Sequence, residues 1–129
     1  MLDTTVEYTK QRRQFGQPIA SFQVLQHRMV DMFMQVETAT SAMYLATLKL
    51  ESDPVERALA ASAAKVTIAS ACRFVGQNAI QLHGGMGMTD EMAVTHYFKR
   101  ATVLEHDYGS PDFHLARFDR LTRLQSVAA

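Results

Sequence analysis

Glycine and proline limit what this chain can fold into. Only 6 Gly and 3 Pro occur in 129 residues. They mark four places: Gly16 with Pro18, Asp53-Pro54, Gly84-Gly85 with Gly87, and Gly109 with Pro111. Between these places the chain is free of both residues, apart from Gly76. Helix breakers confined to four points leave long uninterrupted runs, and this spacing predicts helices joined by short loops. No segment alternates apolar and polar residues with a sustained period of two, so no sheet is expected.

Residues 22–50 form the clearest helix. Phe22, Leu25, Met29, Phe33, Val36, Thr40, Met43, Thr47 and Leu50 recur at steps of three and four, and Ser21 is the expected N-cap. A second run, 54–83, opens with Asp53 as cap, Pro54 at the first helical position and Glu56 completing a capping box. It is rich in alanine, which lets neighbouring helices approach closely, and it stops at Gly84-Gly85. Thr89 should cap a further helix, with Asp90 and Glu91 in its first turn, and Ser110 should cap a last one starting at Pro111. Residues 4–13 read as the tail of a helix with a thin apolar face. Short connections imply antiparallel neighbours, so the expected fold is all-α, an up-down antiparallel four-helix bundle. One domain is expected over 1–129, with 1–13 the tail of a longer helix.

Composition narrows the function classes. Lys+Arg and Asp+Glu are each 13, so the net charge is zero and nothing favours nucleic acid. The polar start lacks a signal-peptide core. No apolar stretch approaches the roughly 20 residues of a membrane span. Cys72 is the single cysteine, so no internal disulfide is possible. That usage suits a reducing compartment, the cytoplasm or the mitochondrial matrix. The five histidines show no ligand spacing, no metal is expected, and His27 and His83 read as polar helix-face or loop residues. Cys72, amid Ala, Phe and Val, reads as a packed thiol. The eight methionines read first as gap-fillers, with any exposed members marking an uncovered surface.

Two patterns carry chemistry. In Arg12-Arg13-Gln14-Phe15-Gly16, followed by Gln17-Pro18-Ile19, a guanidinium fork and a buried aromatic stand at a chain reversal. Such a fork suits diphosphate or carboxylate, and it equally suits capping a helix C-terminus. In Gln81-Leu82-His83-Gly84-Gly85-Met86-Gly87, a glycine cluster between helices lets a ligand approach the backbone, or simply makes a tight turn. Asp90 and Glu91 count against an anion on the turn that follows.

In this order and spacing the two patterns resemble the C-terminal helical domain of acyl-CoA dehydrogenases. The resemblance covers about residues 8–121. It implies FAD as cofactor, α,β-desaturation of an acyl-CoA thioester, reoxidation by electron-transfer flavoprotein, and a homo- or hetero-oligomer. It assigns cofactor contacts to Arg12, Phe15 and Gln23 from the first motif and to Gln81, Gly84 and Gly85 from the second, with Ser110 as a further flavin contact. The family's glutamate base aligns with Tyr108, a poor base near neutral pH. Asp107 and Glu105 are neighbouring carboxylates, weaker candidates that read equally well as solvated surface charge. Where the family has an Arg-Asp pair this chain has Lys99-Arg100. The base would then stand on an earlier helix, or the chain would be a supporting subunit or assembly scaffold that has lost it. In either case the isolated chain is expected to be inactive.

Overall fold

The computed structural model describes residues 1–128. Five α-helices follow in order: α1 (Leu2–Gln11), α2 (Gln23–Leu48), α3 (Pro54–His83), α4 (Ala93–Leu104) and α5 (Pro111–Ala128). Short 3-10 turns cover Ile19–Ser21 and Gly84–Met88. α3 packs against each of the other helices.

Contacts give the directions. Thr9 meets Met29, and Lys49 pairs with Glu56 at 2.9 Å, so α1 and α2, then α2 and α3, run antiparallel. Phe98 lies against Gly76, Lys65 reaches Leu104, His114 meets Ser62 and Arg117 reaches Ala58. Both α4 and α5 therefore run antiparallel to α3, one after the other along it. The fold is the expected four-helix bundle, with its fourth column broken into two helices rather than reversed at residues 105–110.

Local chemistry explains the element ends. The Asp53 side chain accepts from the Val55 N–H at 2.8 Å, and Pro54 opens α3 as expected. Glu56 does not complete the capping box, because its carboxylate is taken by Lys49. Ser110 caps α5 by accepting from the Phe113 N–H at 3.2 Å. Two expected caps fail. Ser21 ends the first 3-10 turn, and Phe22 takes the N-cap position of α2 with no side-chain bond. Thr89 donates to the Met86 carbonyl instead, and α4 starts only at Ala93. Asp90 and Glu91 consequently lie outside the first turn of α4.

A small sheet is present despite the absence of a strand pattern. β1 (Arg13–Gln14) pairs antiparallel with β2 (Gln17–Pro18). The two-residue turn has positive φ at both Phe15 (53°) and Gly16 (79°), the requirement of a type I′ hairpin. Two-residue strands are too short to leave a periodic signal.

The core is Met32, Val75, Ala79, Leu82 and Val94, with Leu25, Met29, Val36 and Ile80 packed on it. Alanines of α3 (Ala60, Ala64, Ala69 and Ala71) are buried as expected. The α2 stripe is only partly correct. Met32, off the stripe, is its one fully buried residue, whereas Phe33, Met43 and Leu50 are exposed. Contrary to the sequence reading, α3 is long and apolar enough to cross a membrane by composition. Its place at the centre of the bundle accounts for that apolarity.

Candidate functional site

The predicted site residues separate into two groups, at opposite ends of α3. Ser62 and His83 lie on this one helix about 30 Å apart at the α-helical rise.

At the His83 end, the first motif meets the second. Arg12 is the extended C-cap residue of α1 (φ −69°, ψ 122°), its side chain exposed. Its N–H donates to the Tyr8 carbonyl and its carbonyl accepts from Ile19, both at 2.8 Å. Arg13 does not cap α1; its guanidinium spans the hairpin to the Gly16 carbonyl at 3.0 Å. Phe15, expected to be buried, is 91% exposed, because the hairpin turn projects it outward. Its ring makes an edge contact with Phe22 at 6.0 Å. Gln23 opens α2 with its side chain exposed.

The second motif is joined to α1 by two aromatic rings. Tyr8 stacks on His83 with centroids 4.3 Å apart and planes 24° from parallel, and its hydroxyl donates to the His83 carbonyl at 3.3 Å. His83 is 2% exposed and ends α3, so it is a buried helix-face residue rather than a loop residue. Its Nδ1–H donates to the Ala79 carbonyl at 2.8 Å, since a carbonyl only accepts. That tautomer leaves Nε2 as a bare acceptor without a partner among the described residues. Gln81 is exposed, as are Gly84 and Gly85. Gly84 sits at φ 60°, and a Cβ at either glycine would meet no atom within 4 Å. Here the glycines leave a stretch of backbone open. Gly87 differs, for a Cβ there would lie 2.7 Å from the Ile80 carbonyl oxygen.

At the Ser62 end, polar groups close on one another. Arg73 grips the Glu105 carboxylate through Nη2 and through Nε, the latter at 3.2 Å. Glu105 is therefore neither a free base nor a solvated charge; its side chain is 6% exposed and occupied. Lys65 donates to the carbonyls of Leu104 (2.7 Å) and Asp107 (2.8 Å), a cation placed at the negative end of α4. His114 donates through Nε2 to the Tyr108 carbonyl at 3.0 Å. Its Nδ1 accepts from the Ser62 hydroxyl, which in turn accepts from Arg117 at 3.0 Å. Tyr108, at the aligned base position, is held at φ 59° with its ring 97% exposed. Asp107 is half-buried.

An apolar groove runs along α3 between these ends. Val36, Met43, Ile68, Cys72 and Val75 line a cavity of about 360 Å³, and Ile68, Cys72, Ala101 and Leu104 line an adjoining one of about 420 Å³. Met1 borders both. Cys72 is half-buried here, and desolvation pushes its thiol pKa up, away from nucleophilic use.

Sequence reasoning missed the Tyr8–His83 stack and the role of Lys65. Partners separated by tens of residues leave no local spacing signal.

The donor set at the His83 end suits an anionic dinucleotide. It offers a guanidinium, two side-chain amides, open glycine backbone and an exposed aromatic face. Residues 1–120 match the family model described as acyl-CoA dehydrogenase, C-terminal domain. The chain is 36% identical over 118 residues to the acyl-CoA dehydrogenase IpdE2 of Mycolicibacterium smegmatis, covering 92% of this chain and 36% of that protein. Among solved structures, butyryl-CoA dehydrogenase from Megasphaera elsdenii superposes with TM-score 0.85 at 32% identity, over 92% of this chain and 30% of that one. The FAD complex of PigA superposes with TM-score 0.85 at 28% identity, over 96% and 32%. The chain thus spans about a third of the length of the relatives it matches.

Proposed function

The chain belongs to the acyl-CoA dehydrogenase family, as its C-terminal domain, and from that premise we propose that it supplies FAD contacts and oligomer surface to an enzyme that desaturates acyl-CoA thioesters. One observation carries this reading: the Tyr8–His83 stack joins the first motif, with Arg12 and Phe15 exposed, to the second, where Gln81 is exposed and the Gly84 and Gly85 backbone is open. FAD, when bound, supplies the two-electron acceptor for such a desaturation. Arg12 would hold its diphosphate by charge-assisted bonds, Gln81 and Gln23 would add amide donors, and Phe15 would offer a ring face to the adenine. Ser110 lies at the far end of α3. Its oxygen caps α5, and its hydroxyl hydrogen is left for a flavin contact. Residues at opposite ends of α3, about 30 Å apart at the helical rise, would serve different cofactor molecules, and an oligomer would bring the two ends of neighbouring copies together.

Exposed apolar side chains support that assembly. Val30, Phe33, Met34, Tyr44 and Leu48 stand out from α2 and are suited to a partner surface. The desaturation itself, the acyl-CoA cleft and reoxidation by electron-transfer flavoprotein are assigned to the assembled protein, and the single chain is expected to turn over no acyl-CoA. A second reading is favoured by Tyr108 and by the engaged Glu105: a subunit that keeps the bundle and supports a catalytic partner.

Titration of the chain with FAD, followed by flavin fluorescence, tests the reading. Tighter binding of FAD than of riboflavin, which lacks the phosphates, is expected. Equal binding of the two, or none, contradicts it.

A further inference from the structure

On the cofactor reading above, we propose that Tyr8 and His83 form a positioning pair that fixes the distance between Arg12 and the Gly84-Gly85 backbone. Arg12 and Gly84 belong to motifs far apart in sequence, and the stacked rings join them directly. Each ring is anchored in its own motif. Arg12 lies one helical turn beyond Tyr8, and its N–H is bonded to the Tyr8 carbonyl. The Arg12 carbonyl is bonded to Ile19 across the hairpin, so its backbone is held on both sides. On the other side, the Nδ1–H bond to Ala79 locks the His83 ring, and Gly84 follows it directly in the chain. The loop closes on His83 from below: a Cβ at Gly87 would lie 2.9 Å from the His83 Cβ. Any slide of Tyr8 over His83 moves the Arg12 backbone, from which the guanidinium projects, relative to the open glycine backbone.

The stack, rather than the imidazole itself, is what the pairing requires. Nε2 is buried without a partner among the described residues, and an unsatisfied buried acceptor is destabilising. A phenyl ring would stack on Tyr8 without that cost. The pair acts through Arg12 and the glycine backbone and need not touch the ligand.

FAD titrations of the full chain carrying Arg12→Gln, His83→Ala, both together, and His83→Phe test the pair. Each of the first two should weaken FAD binding about tenfold, and the double variant should be no weaker than about either alone. His83→Phe should recover most of the lost affinity, since a flat ring again meets Tyr8 although it lacks the Nδ1–H bond to Ala79. Tyr8→Leu provides a second way to remove the stack if His83→Ala fails to fold, and it should show the same coupling to Arg12→Gln. Independent effects that multiply in the double variant, or no recovery in His83→Phe, overturn the pairing while leaving the cofactor reading intact. Wild-type chain that fails to bind FAD overturns the cofactor reading, and this inference with it.

Discussion

At the Ser62 end of α3, long polar side chains turn inward: Lys65 onto two carbonyls, Arg73 onto Glu105, Arg117 and His114 onto Ser62. At the His83 end, Arg12, Gln81 and Gln23 are exposed, and a Cβ at Gly84 or Gly85 would meet no atom within 4 Å. The two ends belong to one helix and draw on similar residue types. What separates them is whether each donor already has an acceptor within the fold. A spent donor stabilises the bundle, and a free one is available to a ligand. By this measure Glu105, a carboxylate near the aligned base position, is part of the scaffold, whereas the exposed Arg12 is the guanidinium that the proposed reading offers to a ligand.

The largest expected effect is on the closed end. Arg73→Met leaves the Glu105 carboxylate buried and unpaired. Breaking a fully buried pair costs roughly 3–5 kcal/mol. Since the Arg73 side chain is 58% exposed, about 2–3 kcal/mol is expected after allowing for solvent screening. Urea denaturation measures this, and adding Glu105→Leu should recover most of the loss. A loss too small to resolve would mean that the closed end is not what holds α4 in place. Next, Gly87→Ala should cost about 1–3 kcal/mol through overpacking against the Ile80 carbonyl. It should also weaken FAD binding, since it strikes the His83 end. Ser110→Ala removes the α5 cap and should lower stability by about 1 kcal/mol, readable as a fall in Tm.

The smallest effect concerns Asp90, a fully exposed side chain. Its hydrogen bond to Lys99, and then the Lys99 charge, hold its carboxyl below the usual carboxylate range. A depressed folded pKa contributes stability that is present above the ordinary carboxylate pKa and lost as pH falls through the folded value. Asp90→Asn should therefore slightly flatten the acid side of the stability profile and change nothing at the His83 end.

Much of the fold was legible because its signals are local. Asp53-Pro54 and Gly84 bound α3 at the residues expected, since caps and breakers act within one turn. α4 starts later than Thr89 suggests because the Gly84–Met88 turn engages that hydroxyl first. The α2 stripe misled because periodicity shows that a helix has an apolar face without showing what covers it; Phe33 and Met43 remain exposed. At the site, both motifs were visible as residue types in order. Their meeting was not, because it depends on the Tyr8–His83 stack, a long-range contact. Exposure of Phe15 was equally hidden, since it follows from a turn with two positive φ angles rather than from hydrophobicity.

On the proposed reading, the outward-facing end holds the anionic cofactor. The direct measurement is FAD affinity of the Arg12→Gln chain against Arg120→Gln, which removes an exposed guanidinium on α5. Loss of a charge-assisted bond is worth about 1.5–3 kcal/mol, so Arg12→Gln should weaken binding tenfold or more and Arg120→Gln should match wild type. Equal affinity in all three chains, or a loss confined to Arg120→Gln, would contradict the account.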